Sequence, residues 1–295
     1  FDFEDSFYES VIRPFVNSYL EGKTPNPCLD CNRKVKFAEL RGRARALGAG
    51  KVATGHYAQI RQKADGSYGL YTAVDTTKDQ SYFLYELNQV DLATTLFPVG
   101  GLTKPEVRSY LEKHGFRMAS KAESQDICFV SSSVGEFIEK ESGKKLPVGS
   151  FVTTDGEVVG EHGGVHRYTV GQRRGLGLSD KFPLYVVDID PQENRVTVGP
   201  HDALERSNFY LAGVNWIGGV PNGVVRSRVK LRYRHEGIMC DVKPLPLGHA
   251  EVRFVEGWSA VSPGQAGVFY RDENESDGAV EVLGGGRIIK GEPTF

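Results

Sequence analysis

The sequence lacks the long apolar segments and export signals that would direct a chain to or through a membrane. Its 295 residues contain no run of eighteen apolar residues, and nothing near Phe1 has the charged-then-apolar layout of a signal peptide. We therefore expect no membrane partner and place the protein in the cytoplasm. An excess of one charge is lacking too, because 36 basic and 38 acidic residues leave a formal net charge of −2. With 39% hydrophobic residues, the composition is that of a folded globular protein, which excludes disorder.

Cysteine is scarce, and four cysteines are too few for a disulfide framework in a chain of this length. In a reducing cytoplasm, catalysis or metal binding is the better use for them. Cys28 and Cys31 form a C-x-x-C pair in a polar segment rich in proline. No second C-x-x-C pair exists, which excludes a four-thiolate zinc ribbon, although His56 or another residue could supply a further ligand. A purely structural role for the pair stays open.

The residues around the thiols bear on their reactivity. The basic segment Arg33–Lys36 would favour a thiolate and so lower the pKa of a nearby cysteine. The polar residues 123–126 before Cys128 are typical of a site loop, although an ordinary strand cysteine is an equally good interpretation of that position. Cys240 lies in strand-like sequence, for which we predict a structural role.

Apolar periodicity predicts an α/β region at the amino-terminal end. Residues 5–20 show helical spacing before Gly22, and 37–47 show it again before Gly48. Residues 52–54 read as a buried strand ending at Gly55 and His56, where α/β sheets bind ligands. Thr103 and Glu106 form a capping box, which predicts a helix over 104–113.

After Gly143 the sequence becomes rich in glycines, turn residues and short runs of alternating apolar residues, a pattern that predicts a mostly β half. Examples of such runs are 185–188, 195–199 and 250–254. The sequence thus predicts a multidomain α/β plus β protein in three parts. These are an α/β catalytic domain over 1–142, a small central β-rich domain over 143–206, and a C-terminal β-barrel or sandwich over 207–295.

Basic side chains occupy every second position over 226–234. In a strand, five such charges would share one face at about 6.7 Å spacing and repel one another. An anionic polymer would neutralise them, and so would carboxylates from neighbouring strands. The basic, glycine-rich segment 171–177 matches neither a Walker loop nor a dinucleotide fingerprint. It is typical of a flexible loop that lets the backbone approach nucleic acid, with a plain turn as the alternative.

Taken together, these segments resemble the tRNA-specific 2-thiouridylases, the MnmA/TrmU family. The matching motifs are collinear: T-P-N-P-x-x-x-C-N at 24–32, K-F at 36–37, A-T-G-H-Y-A at 53–58, K-D-Q-S-Y-F-L at 78–84, I-C-F at 127–129, G-Q-R-R-G-L-G at 171–177, Y-V-V-D at 185–188, R-Y-R at 232–234 and S-P-G-Q at 262–265.

The resemblance implies a Rossmann-like α/β domain of the adenine-nucleotide-hydrolase type, a small central domain and a C-terminal β-barrel that binds tRNA. It implies that ATP, with Mg²⁺, adenylates O2 of the wobble uridine, and that a cysteine persulfide then delivers sulfur to C2. By position, Cys128 corresponds to the persulfide carrier. Cys31 corresponds to its partner, which releases the sulfur and leaves a Cys31–Cys128 disulfide. The partners implied are the anticodon region of tRNA and a sulfur-donor protein.

The resemblance also implies binding residues. Asn26, Pro27 and Cys28 would contact the target base, and Gly55 would contact the adenylate. The implied tRNA contacts are His56, Lys78, Asp79, Gln80, Arg232, Tyr233 and Gln265.

Two departures from the family pattern lead to alternatives. The family's S-G-G-x-D-S pyrophosphatase loop is not in this sequence, which begins downstream of it, so we expect an N-terminally incomplete copy of a longer enzyme that cannot bind ATP productively. A tRNA-binding fragment without catalysis is therefore one alternative. Position 28 is Cys where many relatives have Asp, and Asp30 would point elsewhere on an extended backbone. With Cys28, Cys31 and Cys128 as ligands, a [4Fe–4S] cluster carrying the sulfur is the other alternative.

Overall fold

The structure is a computed structural model that describes residues 1–116, 127–179, 182–257, 260–272 and 278–295. Within these ranges no helix is both long enough and apolar enough to traverse a lipid bilayer. Residues 123–126, for which we predict a site loop, lie outside the described residues.

Two long helices form the amino-terminal region. The first helix comprises Glu4–Phe7, a π-helical segment Tyr8–Ile12, and Arg13–Leu20. The second, which we name the cysteine helix, comprises Pro27–Asp30, a π-helical segment Cys31–Glu39, and Leu40–Ala46. Both predicted helices are confirmed, and each is followed by a glycine with positive φ, Gly22 or Gly48, which releases the chain from the helical conformation.

The rest of the α/β region surrounds a two-stranded parallel pair, β1 (Val52–Ala53) and β4 (Thr95–Leu96). The capping box at Thr103 and Glu106 is present as predicted, and its helix spans Lys104–Lys113. The remaining elements of the region are the hairpin β2 (Gln59–Gln62) and β3 (Tyr68–Tyr71), the 3₁₀ helix Ser81–Leu84, and the helices Gln89–Ala93 and Val134–Ser142.

The central part is a four-stranded sheet in the order β6-β5-β8-β7. Its strands are β5 (Gly149–Thr153), β6 (Val158–His162), β7 (Tyr185–Asp190) and β8 (Arg195–Gly199). One face buries Phe151, Val186 and Val196, which pack with Tyr168 and Leu176 into a core of their own. The strands predicted at 185–188 and 195–199 are confirmed. The 3₁₀ helices Val165–Arg167 and His201–Leu204 complete this part.

The last part is a closed barrel of six antiparallel strands, because β13 pairs with both β10 and β14. Its elements are β9 (Asn208–Trp216), β10 (Val225–Lys230), β11 (Ile238–Leu245), the 3₁₀ helix Pro246–Gly248, β12 (His249–Phe254), β13 (Ala266–Tyr270) and β14 (Glu281–Ile289). Strand β14 also pairs with β3, so the hairpin of the α/β region extends the barrel sheet. Cys240 is fully buried in β11, as its predicted structural role requires.

The alternating basic strand predicted over 226–234 is wrong in its second half. Strand β10 ends at Lys230, and the chain then turns toward β11, so Arg232 and Arg234 do not continue the row. Arg226 makes a two-pronged ion pair with Asp241 at 2.9 and 3.0 Å. Lys230 lies over the ring of Tyr270 at 4.9 Å. Intramolecular partners thus neutralise part of the row, as the alternative interpretation supposed.

Candidate active site

A cavity of about 240 Å³ brings the three polar-segment cysteines together. We call it the thiol pocket. Its sulfur-bearing residues are Cys28, Cys31 and Cys128, and its other polar residues are Asn32, Lys36, His56 and Gln80. Aromatic and aliphatic side chains form the remaining wall, among them Phe7, Val11 and Phe83. Cys31 and Cys128 have 96 residues between them in the sequence, so only the tertiary fold makes them neighbours.

The cysteine helix positions two of the thiols. Asn26 is its extended N-cap, and the Asn26 side chain accepts a hydrogen bond from the backbone N–H of Cys28 at 3.2 Å. Pro27 follows at the first helical position, where its missing N–H costs nothing. Residues 27–30 are therefore helical, and the extended backbone assumed for Asp30 is wrong. Cys28 and Cys31 lie one turn apart on the same helix.

Aromatic packing positions the third thiol. Phe129 makes edge-on contacts with Phe7 and Phe15 of the first helix, with ring centroids 5.7 and 5.4 Å apart, and a tilted contact with Phe137 at 5.4 Å. Such contacts fix the adjoining backbone more narrowly than apolar burial alone. Cys128, the preceding residue, is consequently held at the pocket with an exposed side chain.

Burial dominates the electrostatics of the paired thiols. Desolvation by the pocket walls raises the pKa of Cys28 although part of its side chain stays exposed, and the neighbouring Cys31 and Cys128 raise it further, while Lys36 lowers it. Burial likewise raises the pKa of Cys31 against the lowering effect of Lys36. The expectation that the basic segment would give low-pKa thiols is therefore wrong. Arg33 pairs with Glu86 and Lys34 pairs with Asp30. All four cysteines are free thiols.

His56 lies in the pocket wall as a neutral imidazole. It follows β1, is buried, and its Nδ1 is 2.8 Å from Oγ1 of Thr54. The rings of Phe37 and Phe97 are each 5.8 Å from the imidazole. Burial, aided by Lys36, lowers the pKa of His56 to about 4. At neutral pH His56 therefore offers hydrogen bonds without a positive charge. Gly55 beside it is exposed, and no atom lies within 4 Å of where its Cβ would be.

Two residues of the segment Lys78–Gln80, Asp79 and Gln80, have different roles. Asp79 is buried, and its carboxylate accepts hydrogen bonds from the backbone N–H groups of Ala73 and Ser81 and from the Ser81 hydroxyl. Gln80 lines the thiol pocket, and its Oε1 accepts the N–H of Tyr57 at 3.0 Å. Asp79 thus shapes the loop from inside, whereas Gln80 faces the pocket.

The barrel holds the cysteine helix through contacts that sequence analysis missed. Arg287 of β14 pairs with Asp30 at 3.2 Å and with Glu86 at 3.3 Å. The amide of Gln265 donates to the carbonyl of Thr24 at 2.7 Å. The hydroxyl of Thr24 donates to Oγ1 of Thr169 in the central part at 3.0 Å. Thr24, two residues before the N-cap, therefore contacts the other two parts of the chain. The S-P-G-Q motif hinted at Gln265, but no local signal pointed to Arg287.

The remaining predicted residues lie outside the thiol pocket. Tyr233 packs on Phe83, with ring centroids 4.5 Å apart, and so supports the pocket wall from behind. The exposed Arg232 lines a second cavity of about 600 Å³ between the central sheet and the barrel, together with Gln265 and Gln172. Within the described ranges, no group of three or more His, Cys, Asp or Glu side chains is arranged to hold a metal ion.

Comparison with known proteins gives matches along nearly the whole chain. Family models match it as a tRNA methyl transferase HUP domain over residues 1–132, a tRNA methyl transferase PRC-barrel domain over 135–200, and an aminomethyltransferase beta-barrel domain over 206–288. The predicted fold class, an α/β domain followed by a central domain and a C-terminal β-barrel, is confirmed.

Individual relatives agree with these matches. A tRNA-specific 2-thiouridylase MnmA from Geotalea uraniireducens is 50% identical over 288 residues, which cover 97% of this chain and 75% of the relative. Proteins of the same name from Geobacter metallireducens and Chlorobium chlorochromatii are 46% and 47% identical, again over 97% of this chain and over 76% and 79% of the relatives.

Proposed function

This chain belongs to the tRNA-specific 2-thiouridylase family, and from that premise we propose that it replaces O2 of the wobble uridine of tRNA with sulfur in an ATP-dependent reaction. The observation that carries the proposal is the meeting of Cys31 and Cys128 in one pocket despite their distance in sequence. A carbonyl oxygen leaves poorly until it is activated, so adenylation of O2 must precede attack by sulfur.

The sulfur follows a path between the two thiols. A donor protein delivers sulfur to Cys128, whose exposed side chain such a donor can reach, and forms a persulfide. The terminal sulfur attacks C2 of the adenylated base, and AMP leaves with the bonding electron pair. The Cys31 thiolate then attacks the Cys128 sulfur, which releases 2-thiouridine as a thiolate and leaves a Cys31–Cys128 disulfide.

The raised pKa of Cys31 gives this order a physical reason. Because burial keeps Cys31 protonated at rest, it is a weak nucleophile toward a persulfide waiting on Cys128. Lys36 is the pocket cation that favours the thiolate of Cys31, and its positive charge would also stabilise an anionic leaving group. Premature loss of the persulfide sulfur is thereby slowed.

The pocket suits one extruded nucleobase. Its volume of about 240 Å³ leaves room for a single planar pyrimidine base. A base must leave the anticodon stack before its C2 atom can be reached. We assign the base contacts to Asn26, Pro27 and Cys28 at the helix start, and the adenylate contact to Gly55 at the open carboxyl end of β1.

The same proposal assigns tRNA contacts around the pocket. Arg232 is exposed beside the second cavity and suits a phosphate, while Tyr233 and Gln265 act where the barrel meets the pocket wall. The neutral His56 and Gln80 line the thiol pocket, and we extend the assigned tRNA contacts to Lys78 in the segment before Gln80. Asp79 contributes through the shape of its loop, because its carboxylate is already bonded within the protein.

A sulfur-carrying [4Fe–4S] cluster fits the described residues poorly. The three thiols are the right ligand type, but they are not arranged as a metal-binding group. We therefore derive no step through a cluster. Mg²⁺ belongs to the ATP phosphates as a substrate ion, where it would neutralise charge during adenylation.

Nucleoside mass spectrometry tests the proposal. The full-length protein is incubated with ATP, Mg²⁺, a persulfide donor and unmodified tRNA, in parallel with its Cys128→Ala, Cys31→Ala and, as a matched control, Cys240→Ala variants. We expect 2-thiouridine from the unaltered protein and the control alone. Thiolation by the Cys128→Ala variant would refute the sulfur path, and salt-sensitive tRNA binding without any thiolation would support a binding fragment instead.

A further inference from the structure

Cys28 is a third thiol in the pocket that the sulfur path above does not use. It lines the same cavity as Cys31 and Cys128. Of the two thiols on the cysteine helix, Cys28 is exposed and Cys31 is half-buried. Cys128 is exposed as well, so both possible disulfide partners of the more enclosed Cys31 can be reached from solvent.

We propose that Cys28 is the resolving thiol that opens the Cys31–Cys128 disulfide after each turnover, takes the oxidation onto the cysteine helix and frees Cys128. This inference rests on the proposed function, because it needs that disulfide as its substrate. It assigns Cys28 a catalytic role beyond contact with the target base.

The exchange is balanced without an added oxidant. The Cys28 thiolate attacks the Cys31 sulfur, the Cys31–Cys128 bond breaks, and its electron pair leaves on the Cys128 sulfur as a thiolate. A Cys28–Cys31 disulfide remains, with the same oxidation state as the first. An external dithiol then supplies two electrons and two protons to regenerate both cysteines. Cys128 becomes free for the next persulfide as soon as the first exchange is complete.

Helix geometry permits the new bond. Residues three apart in a helix have Cα atoms about 5 Å apart, inside the range of about 4.4–6.8 Å that disulfides use. Cys28 lies in the first turn, where its N–H bonds to the Asn26 side chain, whereas the N–H of Cys31 already donates to the carbonyls of Pro27 and Cys28. Because Cys28 is exposed, a reductant reaches its sulfur more readily than that of Cys31.

Disulfide mapping tests the inference without ATP or tRNA. Trypsin releases Cys28 and Cys31 together in peptide 24–33 and Cys128 in peptide 122–140, so the two disulfides differ in mass. After oxidation with one equivalent of diamide and acid quenching, we expect mainly the internal disulfide of peptide 24–33 in the unaltered chain. In the Cys28→Ser variant we expect the cross-link between the two peptides.

Maleimide labelling gives a second measurement. In the oxidised unaltered chain, Cys128 should react with a maleimide before any reductant is added, whereas in oxidised Cys28→Ser it should react only after dithiothreitol has opened the cross-link to Cys31. The Cys240→Ala variant should behave like the unaltered chain. Protection of Cys128 from the maleimide in both oxidised chains would overturn this inference alone. If the cross-link fails to form even in Cys28→Ser, the pairing of Cys31 with Cys128 is wrong, and the proposed function loses its sulfur path as well.

Discussion

The contact of Arg287 with Asp30 and Glu86 should be worth far more than an ordinary surface ion pair. Their side chains are 26%, 20% and 10% exposed. Removing one partner of a fully buried pair costs about 3–5 kcal/mol, because the other charge is left without compensation. Here the pair has some water access, and Lys34 still pairs with Asp30 and Arg33 with Glu86, so we expect Arg287→Met to lower the free energy of unfolding by about 2 kcal/mol.

A double-mutant cycle isolates the contact. Urea unfolding of the single variants Arg287→Met and Asp30→Asn and of the double variant should give a coupling energy of about 1–2 kcal/mol. The matched control is Arg226→Met in the same barrel, which removes an exposed pair with Asp241 and should change stability much less. A coupling energy indistinguishable from zero would refute the idea that the barrel anchors the cysteine helix through Arg287.

Alkylation of the thiols provides a readout specific to the pocket. Asp30 lies between Cys28 and Cys31, so loss of its barrel partner should loosen that helical turn and speed iodoacetamide modification of Cys31 under native conditions. The Arg226→Met control should leave that rate unchanged. Faster modification in both variants would point to general loosening of the protein.

Three further predictions concern the pocket and the segment that leads into the cysteine helix. Stability should fall by about 3 kcal/mol as the pH drops from 6.5 toward 4, because unfolded His56 takes up its proton near 6.5 and folded His56 only at about 4. A His56→Gln variant should lose that slope in urea titrations at several pH values, and an unchanged slope would contradict the assignment. Gly264→Ala should destabilise by about 1–3 kcal/mol in thermal unfolding, since Gly264 has φ +93° and an added Cβ would lie 2.9 Å from the Thr24 nitrogen. Gly248→Ala, at φ +70° with open space around it, should cost less. Lys36→Met should raise the pKa of Cys31 further and slow its alkylation near pH 8, and a faster reaction would count against Lys36 as the cation facing that thiol.

Local sequence signals predicted the elements whose cause is local. The helix before Gly22 and the capped helix at Thr103 follow from apolar spacing and capping side chains, which act within one turn. The start of the cysteine helix was missed although its signals were present. Asn26 as the cap and Pro27 at the first position are typical of a helix start, but Asp30 was expected on an extended backbone.

Features that depend on contacts between distant segments could not be predicted from local sequence patterns. The end of β10 at Lys230 depends on where β11 and β13 pair with it, and alternating charge carries no information about that register. The raised pKa of Cys31 depends on enclosure by segments far away in the sequence. The basic residues near Cys31 in the sequence therefore predicted a pKa shift in the wrong direction. The meeting of Cys31 with Cys128 came from family resemblance, because no spacing rule brings residues so far apart together.

The thiol pocket is a joint product of the α/β region and the barrel. Leu29 and Phe37 of the cysteine helix belong to the same hydrophobic core as Val268 and Val282 of the barrel. Buried apolar contacts of this kind carry most of the stabilising free energy, so the helix cannot keep its position once the barrel is removed. Strand β14 reinforces the connection by pairing with β3 and by carrying Arg287. A displacement of β14 would therefore be transmitted to the turn that holds Cys28 and Cys31.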